Sequence, residues 1–170
     1  MVLQLPPEPQ YGTNNLTDLL PSAAAALGAE NFSNVLNLPA ASKYCIIMVD
    51  GLGHRLVKKH RGYVPFIGKA EMRWINAAYP TTTACSLSSL GTGRSPGAHG
   101  IIGYDVYDPK RDTVNNMLSG WDPTLNVKQW QPEPTVFSRL AKTDIKPITV
   151  SMPRFRDSGL TQASLSGSDY

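Results

Sequence analysis

Lys43-Tyr44-Cys45-Ile46-Ile47-Met48-Val49-Asp50-Gly51-Leu52-Gly53 is the stretch on which the fold turns. After Lys43 it is continuously apolar and rich in β-formers, and it stops abruptly at Asp50-Gly51. A run with no polar alternation reads as a strand buried on both faces, as in a parallel sheet covered by helices. The segment HRLVKKH from His54 to His60 then reads as a helix with Leu56 and Val57 inside, and RWINAA from Arg73 to Ala78 as a second buried strand. Strand, helix and strand in that order predict a right-handed crossover between adjacent parallel strands. A helix over Thr135–Ala141 and a third strand over Pro147–Met152 repeat the alternation. The predicted fold class is α/β, with a mostly parallel sheet flanked by helices. In such sheets ligands bind at the carboxyl ends of the strands, where both Asp50 and Thr81–Thr83 stand.

Working outward, residues 1–19 are rich in Pro, Asn, Gln and Thr and read as a surface arm, followed by an alanine-rich helix from Pro21-Ser22 to Gly28. Ala84, Leu87 and Leu90 recur on one helical face that begins at or next to Thr83, with Gly91 at the expected C-cap. A Gly/Pro-rich loop (GTGRSPGAHG) leads into a hairpin over Tyr104–Met117, turning at Asp108-Pro109. The whole fits one domain.

Composition narrows the function classes. The chain has 170 residues, 41% of them hydrophobic and 17% charged, with a formal net charge of +3. That balance is globular. The only dense basic run, Lys58-Lys59-His60-Arg61, reads as a solvated helix face, so a nucleic-acid polymer is not an expected partner. The first residues lack a basic and then apolar signal, and no apolar run reaches about 18 residues, so a cytoplasmic protein without a membrane partner is expected. Cys45 and Cys85 lack metal or scaffold spacing and read as small buried hydrophobes in a reducing compartment. The nearness of Cys85 to Thr83 leaves a functional thiol as the alternative.

A carboxylate at the end of a buried strand, with glycines behind it, can hold a cation at close approach. Asp50-Gly51-Leu52-Gly53 fits that pattern, and it also fits a plain strand-terminating turn. A dinucleotide-binding loop is disfavoured, because Leu56 stands where its third glycine belongs and Asp50 would face the pyrophosphate. Pro80-Thr81-Thr82-Thr83 sets hydroxyls at the positive end of a helix, which suits a phosphoryl group. A threonine there also serves as an ordinary N-cap, and it attacks at neutral pH only when a metal or base activates it.

Together these motifs resemble the alkaline phosphatase superfamily, and more closely its nucleotide pyrophosphatase/phosphodiesterase branch. The resemblance rests on IIMVDGLG (46–53), YPTTTACSLSSLGTGRSPGAHGIIGY (79–104) and YDP (107–109). It implies an alkaline-phosphatase-like core, two zinc ions and a small-molecule phosphate ester or nucleotide as substrate. It further implies Asp50 as a metal ligand and Thr83 as both metal ligand and the nucleophile that forms a phospho-enzyme. Thr81 and Thr82 are chemically equal candidates, and Thr83 is preferred because it aligns with the second threonine of the family motif. His99 matches the family His-Gly and reads as a turn residue rather than a ligand.

Two departures stand out. Tyr104 occupies the place of a family Asn that holds a phosphoryl oxygen; it is expected to donate a hydrogen bond to substrate, or else to pack on the hairpin at Tyr107. The family's other ligands, an Asp-x-x-x-His pair, an Asp-His pair and a late His, have no counterpart, since the histidines are His54, His60 and His99. The chain is therefore expected to be the amino-terminal part of one catalytic domain, its sheet and metal site incomplete until a carboxyl-terminal half or second chain is added. The alternatives are a phosphomonoesterase or sulfatase-like member of the superfamily and a non-catalytic binding module. A sulfatase would need a C-x-P-S-R motif that Cys85-Ser86-Leu87-Ser88-Ser89 does not provide, and a serine esterase a G-x-S-x-G elbow that is missing.

Overall fold

In the computed structural model, which describes residues 7–118, 121–122 and 124–170, the chain is an α/β protein of short helices around one two-stranded sheet. A 3-10 turn over Leu16–Asp18 is the first helical element among the described residues. Asn15 accepts from Thr17 N–H at 3.1 Å and Asp18 accepts from Asn15 N–H at 2.9 Å, a reciprocal capping box that satisfies amides a helix start leaves open. Helix α1 (Leu19–Ala26) follows. Residues 7–14 are exposed or half-buried, and Asn15, Thr17 and Asp18 are buried. Residues 1–6 of that arm lie outside the described residues.

Helix α2 (His54–Lys59) starts where the sequence reading put it, ends one residue earlier with His60 as its C-cap, and carries Lys58 and Lys59 in its last turn, where cations oppose the helix dipole. Only Val57 is buried; Leu56, expected inside, is 46% exposed. Helix α3 (Pro65–Lys69) starts on Pro65, whose missing N–H costs nothing at a first turn. Helix α4 (Thr83–Thr92) is capped by Thr82, whose hydroxyl accepts from Cys85 N–H at 3.3 Å. It ends at Gly93 in the left-handed region, φ 66°, and not at Gly91. Gly91 lies inside the helix for a different reason: a Cβ there would fall 1.7 Å from the Ser164 carbonyl oxygen.

Helix α5 (Pro96–His99) lies within the Gly/Pro-rich loop. Strands β1 (Asp105–Asp108) and β2 (Thr113–Asn116) then form the expected hairpin, antiparallel, with Asp105 opposite Asn116. Asp108 shapes its turn by accepting from Lys110 N–H at 2.9 Å. Helices α6 (Val127–Trp130), α7 (Val136–Leu140) and α8 (Gly159–Leu165) begin on the N-caps Asn126, Thr135 and Ser158. Two cores result. Leu20, Ala24, Leu90, Val136 and Leu140 join α1, α4 and α7; Ala84, Ile101, Val106, Met117, Leu160 and Ala163 join α4, the hairpin and α8. Helix α4 contributes to both, and the Ser88 and Ser164 hydroxyls bond at 2.9 Å where α8 crosses it.

The expected parallel sheet is not seen among the described residues. Among the described residues the only sheet is β1–β2. Segments 43–49, 73–78 and 147–152 contain no strand; isolated bridges at Asn15–Asn76 and Ile148–Asp169 are all the pairing they have. Ile47 is 81% exposed and Val150 94%. The reason is physical: a strand buried on both faces needs a neighbour for its N–H and C=O groups and a layer over each face. Among the described residues 43–49 has no backbone partner, 73–78 is paired, backbone to backbone, with another segment only at Asn76 and 147–152 only at Pro147 and Thr149, and Ile47 and Val150 lie open to solvent. Cys45, expected buried, is exposed with the segment that carries it.

Candidate active site

Asp50 follows the exposed apolar run at a sharp reversal, where Gly51 takes φ 70° and Gly53 N–H donates to Gly51 O at 3.2 Å. The turn brings Asp50 to the start of α4, where the Thr83 hydroxyl donates to Asp50 Oδ2 at 3.1 Å. The three threonines part company here. Thr81 is exposed, Thr82 has its oxygen committed to the Cys85 amide, and Thr83 alone meets the carboxylate. Thr83 and Ala84 occupy the first turn, where amides have no intrahelical acceptor and the dipole favours negative charge.

These two donors suit a cation chemically. Two oxygens 3.1 Å apart lie close to the edge length of a tetrahedral shell with ligands at about 2.0–2.2 Å. The set is nevertheless partial, since a zinc site uses at least three protein ligands. Among the described residues no group of three His, Cys, Asp or Glu side chains comes together.

Tyr104 enters the hairpin through its carbonyl, which accepts from Met117 N–H at 2.7 Å, while its side chain is 48% exposed. Tyr107, by contrast, is engaged within the hairpin, its hydroxyl donating to Asp112 at 2.8 Å.

His99 is fully buried. Its Nδ1 accepts from Ile101 N–H at 3.1 Å, so the ring proton sits on Nε2 and is donated to Ser89 Oγ at 2.9 Å. Burial drives its pKa from the ordinary 6.5 down to about 4. A neutral ring with both nitrogens committed ties the loop after α5 to the middle of α4, which is a structural turn role. Cys85 is likewise buried, and desolvation raises its thiol to about 11 against a smaller lowering effect of Ser89. A thiol so rarely ionised is packing, not a nucleophile.

Reading the sequence alone missed the Ser89–His99 link and the Thr82 cap. The second carried a usable signal, because a Thr three residues before an amide at a helix start is the ordinary N-cap spacing.

The site thus sets a hydroxyl against a carboxylate at a helix start, on a short-helix α/β frame. A model of the family described as type I phosphodiesterase / nucleotide pyrophosphatase matches residues 44–160, well over half of the chain, and the chain belongs to that family. The match spans Asp50, Thr83, His99 and Tyr104. No solved structure matches the chain. Among the described residues no helix is long and apolar enough to cross a membrane.

Proposed function

We propose that this chain carries the nucleophile and first metal ligand of a zinc-dependent phosphodiesterase or nucleotide pyrophosphatase that works through a phospho-threonine. The observation that carries this reading is the Thr83–Asp50 contact at the start of α4, in a chain of that family. Asp50 fixes the rotamer that aims the Thr83 oxygen at phosphorus. The first-turn amides of α4 offer donors to a developing phosphoryl charge. Zinc, held in part by Asp50 and Thr83, would supply positive charge that lowers the hydroxyl pKa and screens the phosphoryl oxygens. Attack by Thr83 forms the phosphate ester and expels the alcohol or nucleotide leaving group. Water then cleaves the ester and regenerates the hydroxyl. The exposed Tyr104 phenol is offered as a donor to a phosphoryl oxygen.

The remaining ligands come, on this reading, from further polypeptide, a carboxyl-terminal half or second chain, that also pairs segments 43–49, 73–78 and 147–152 into a parallel sheet. Their exposed apolar side chains support that role. Two free thiols support a reducing, cytoplasmic setting.

The test uses a nitrophenyl phosphodiester with added zinc and the complete reading frame. Thr83→Ala is expected to abolish phospho-enzyme and cut turnover by about 10³-fold or more while keeping most of the zinc. Asp50→Asn is expected to lose zinc and turnover together. Turnover near wild type in Thr83→Ala would refute the nucleophile, and full zinc occupancy in Asp50→Asn would remove that ligand. Tyr104→Phe is expected to cost about 10²-fold in kcat with zinc unchanged; an unchanged kcat returns Tyr104 to packing. The 170-residue chain alone, with two donors at this site, is expected to bind zinc weakly.

A further inference from the structure

The end of α4 remote from Thr83 carries a second polar cluster. There the chain turns at Gly93, and Arg94 enters a cleft of about 220 Å³ whose walls also include Phe32, Asp18 and Arg139. Ten residues of helix at 1.5 Å each put it about 15 Å from Thr83. This is a separate place on the molecule, which nothing in the reaction proposed above uses.

Two guanidiniums and one carboxylate line it. Arg139 is half-buried, its guanidinium carbon 4.2 Å above the centre of the Phe32 ring, and among the described residues its guanidinium makes one hydrogen bond, a long 3.5 Å donation to Asn31 O. Among the described residues it has no ion-pair partner. Arg94 gives only its Nε to Glu133, at 3.2 Å. Burial first, and the nearby Arg94 second, push the Arg139 pKa down against a smaller opposing pull from Glu133, so the half-buried Arg139 meets a like charge in Arg94. Asp18 is the sole carboxylate lining the cleft, and it is occupied: Oδ2 holds the Asn15 amide at 2.9 Å and Oδ1 the Thr17 hydroxyl at 3.4 Å.

We propose that this cleft binds a small oxyanion of the phosphate type, held between the guanidiniums of Arg94 and Arg139. Guanidinium forks match phosphate oxygens in pairs, and an anion between two of them removes their mutual repulsion. The volume suits a single phosphate or a small phosphomonoester, not a polymer. The inference is independent of the chemistry at Thr83.

Inorganic phosphate titrated into the chain by calorimetry, with EDTA to exclude metal, tests this. Saturable binding is expected, weakened by added KCl, at least about tenfold weaker in Arg139→Ala, intermediate in Arg139→Lys, and unchanged in Thr83→Ala. Should Arg139→Ala fail to fold, Arg139→Met keeps an apolar stem on Phe32 and is expected to show the same loss. Absence of saturation by about 20 mM phosphate, which is weaker than any useful millimolar site, would overturn the proposal. Wild-type affinity in the Arg139 variants, or loss of binding in Thr83→Ala, would do the same.

Discussion

His99 makes the stability of this fold depend on pH in one direction, and the size of the effect follows from its surroundings. The ring is fully buried, and burial lowers its pKa from 6.5 to about 4. The unfolded chain therefore takes up a proton at higher pH than the folded chain does. Stability from this group is complete above about pH 6.5, falls as the pH drops, and is lost by about pH 4. At about 1.36 kcal/mol per unit of pKa difference, the loss is somewhat above 3 kcal/mol in all, and about 2 kcal/mol of it falls between pH 7 and pH 5. Urea unfolding at the two pH values measures it as a fall in midpoint at constant slope. The informative variant is His99→Asn, whose amide oxygen can still accept the Ile101 N–H while Ser89 loses its partner. It is expected to cost about 1–3 kcal/mol at pH 7 and to remove most of the difference between the two pH values. If His99→Asn keeps the full wild-type difference, the buried imidazole is not its source and the reasoning fails.

Three further outcomes are expected. Thr82→Ala removes the cap bond to Cys85 N–H and is expected to cost about 1 kcal/mol in a thermal melt, with the phospho-enzyme still formed; a dead enzyme with wild-type stability would shift the nucleophile to Thr82. Gly91→Ala forces a methyl to within 1.7 Å of the Ser164 carbonyl, so α4 and α8 must separate at a cost of about 1–3 kcal/mol or more; a neutral melt would disprove that contact. Cys45, exposed, is expected to react with a disulfide reagent at pH 8 at least about 10²-fold faster than the buried Cys85 with its raised pKa, and comparable rates would show that Cys85 is accessible.

What could be read in advance follows the range of the interactions. Helices α2, α4 and α7 and the β1–β2 hairpin declare themselves through local signals: Val57 within HRLVKKH, Ala84, Leu87 and Leu90 at helical spacing, the TVFSRLA run, and Asp108-Pro109 at a turn. The runs at 43–49, 73–78 and 147–152 declare only that they are apolar. Whether such a run pairs depends on neighbours distant in sequence or absent from it, which is why Cys45, apolar in its setting, is exposed here. Gly91 and Gly93 both look like caps, and only the position of α8 tells them apart. At the site, the motif pointed to Asp50 and Thr83 as a pair although 33 residues separate them. By contrast Arg94 and Arg139 carry no motif, and their cleft was invisible until helix packing assembled it.

The unpaired run Tyr44 to Val49 has a consequence for how the protein can be handled. Six residues with no charge and no proline, their N–H and C=O groups without a backbone partner among the described residues, form a template on which identical copies can stack as cross-β. Lys43 and Asp50 bracket the run and act as gatekeepers, since stacked copies would bring like charges into register. Asp50 thus restrains self-assembly as well as meeting Thr83. Salt weakens that restraint, so light scattering by concentrated protein should rise with ionic strength, and Asp50→Asn should scatter more than Asp50→Glu whatever happens to zinc. A loss of turnover in Asp50→Asn counts as a ligand effect only in a sample that has stayed dispersed.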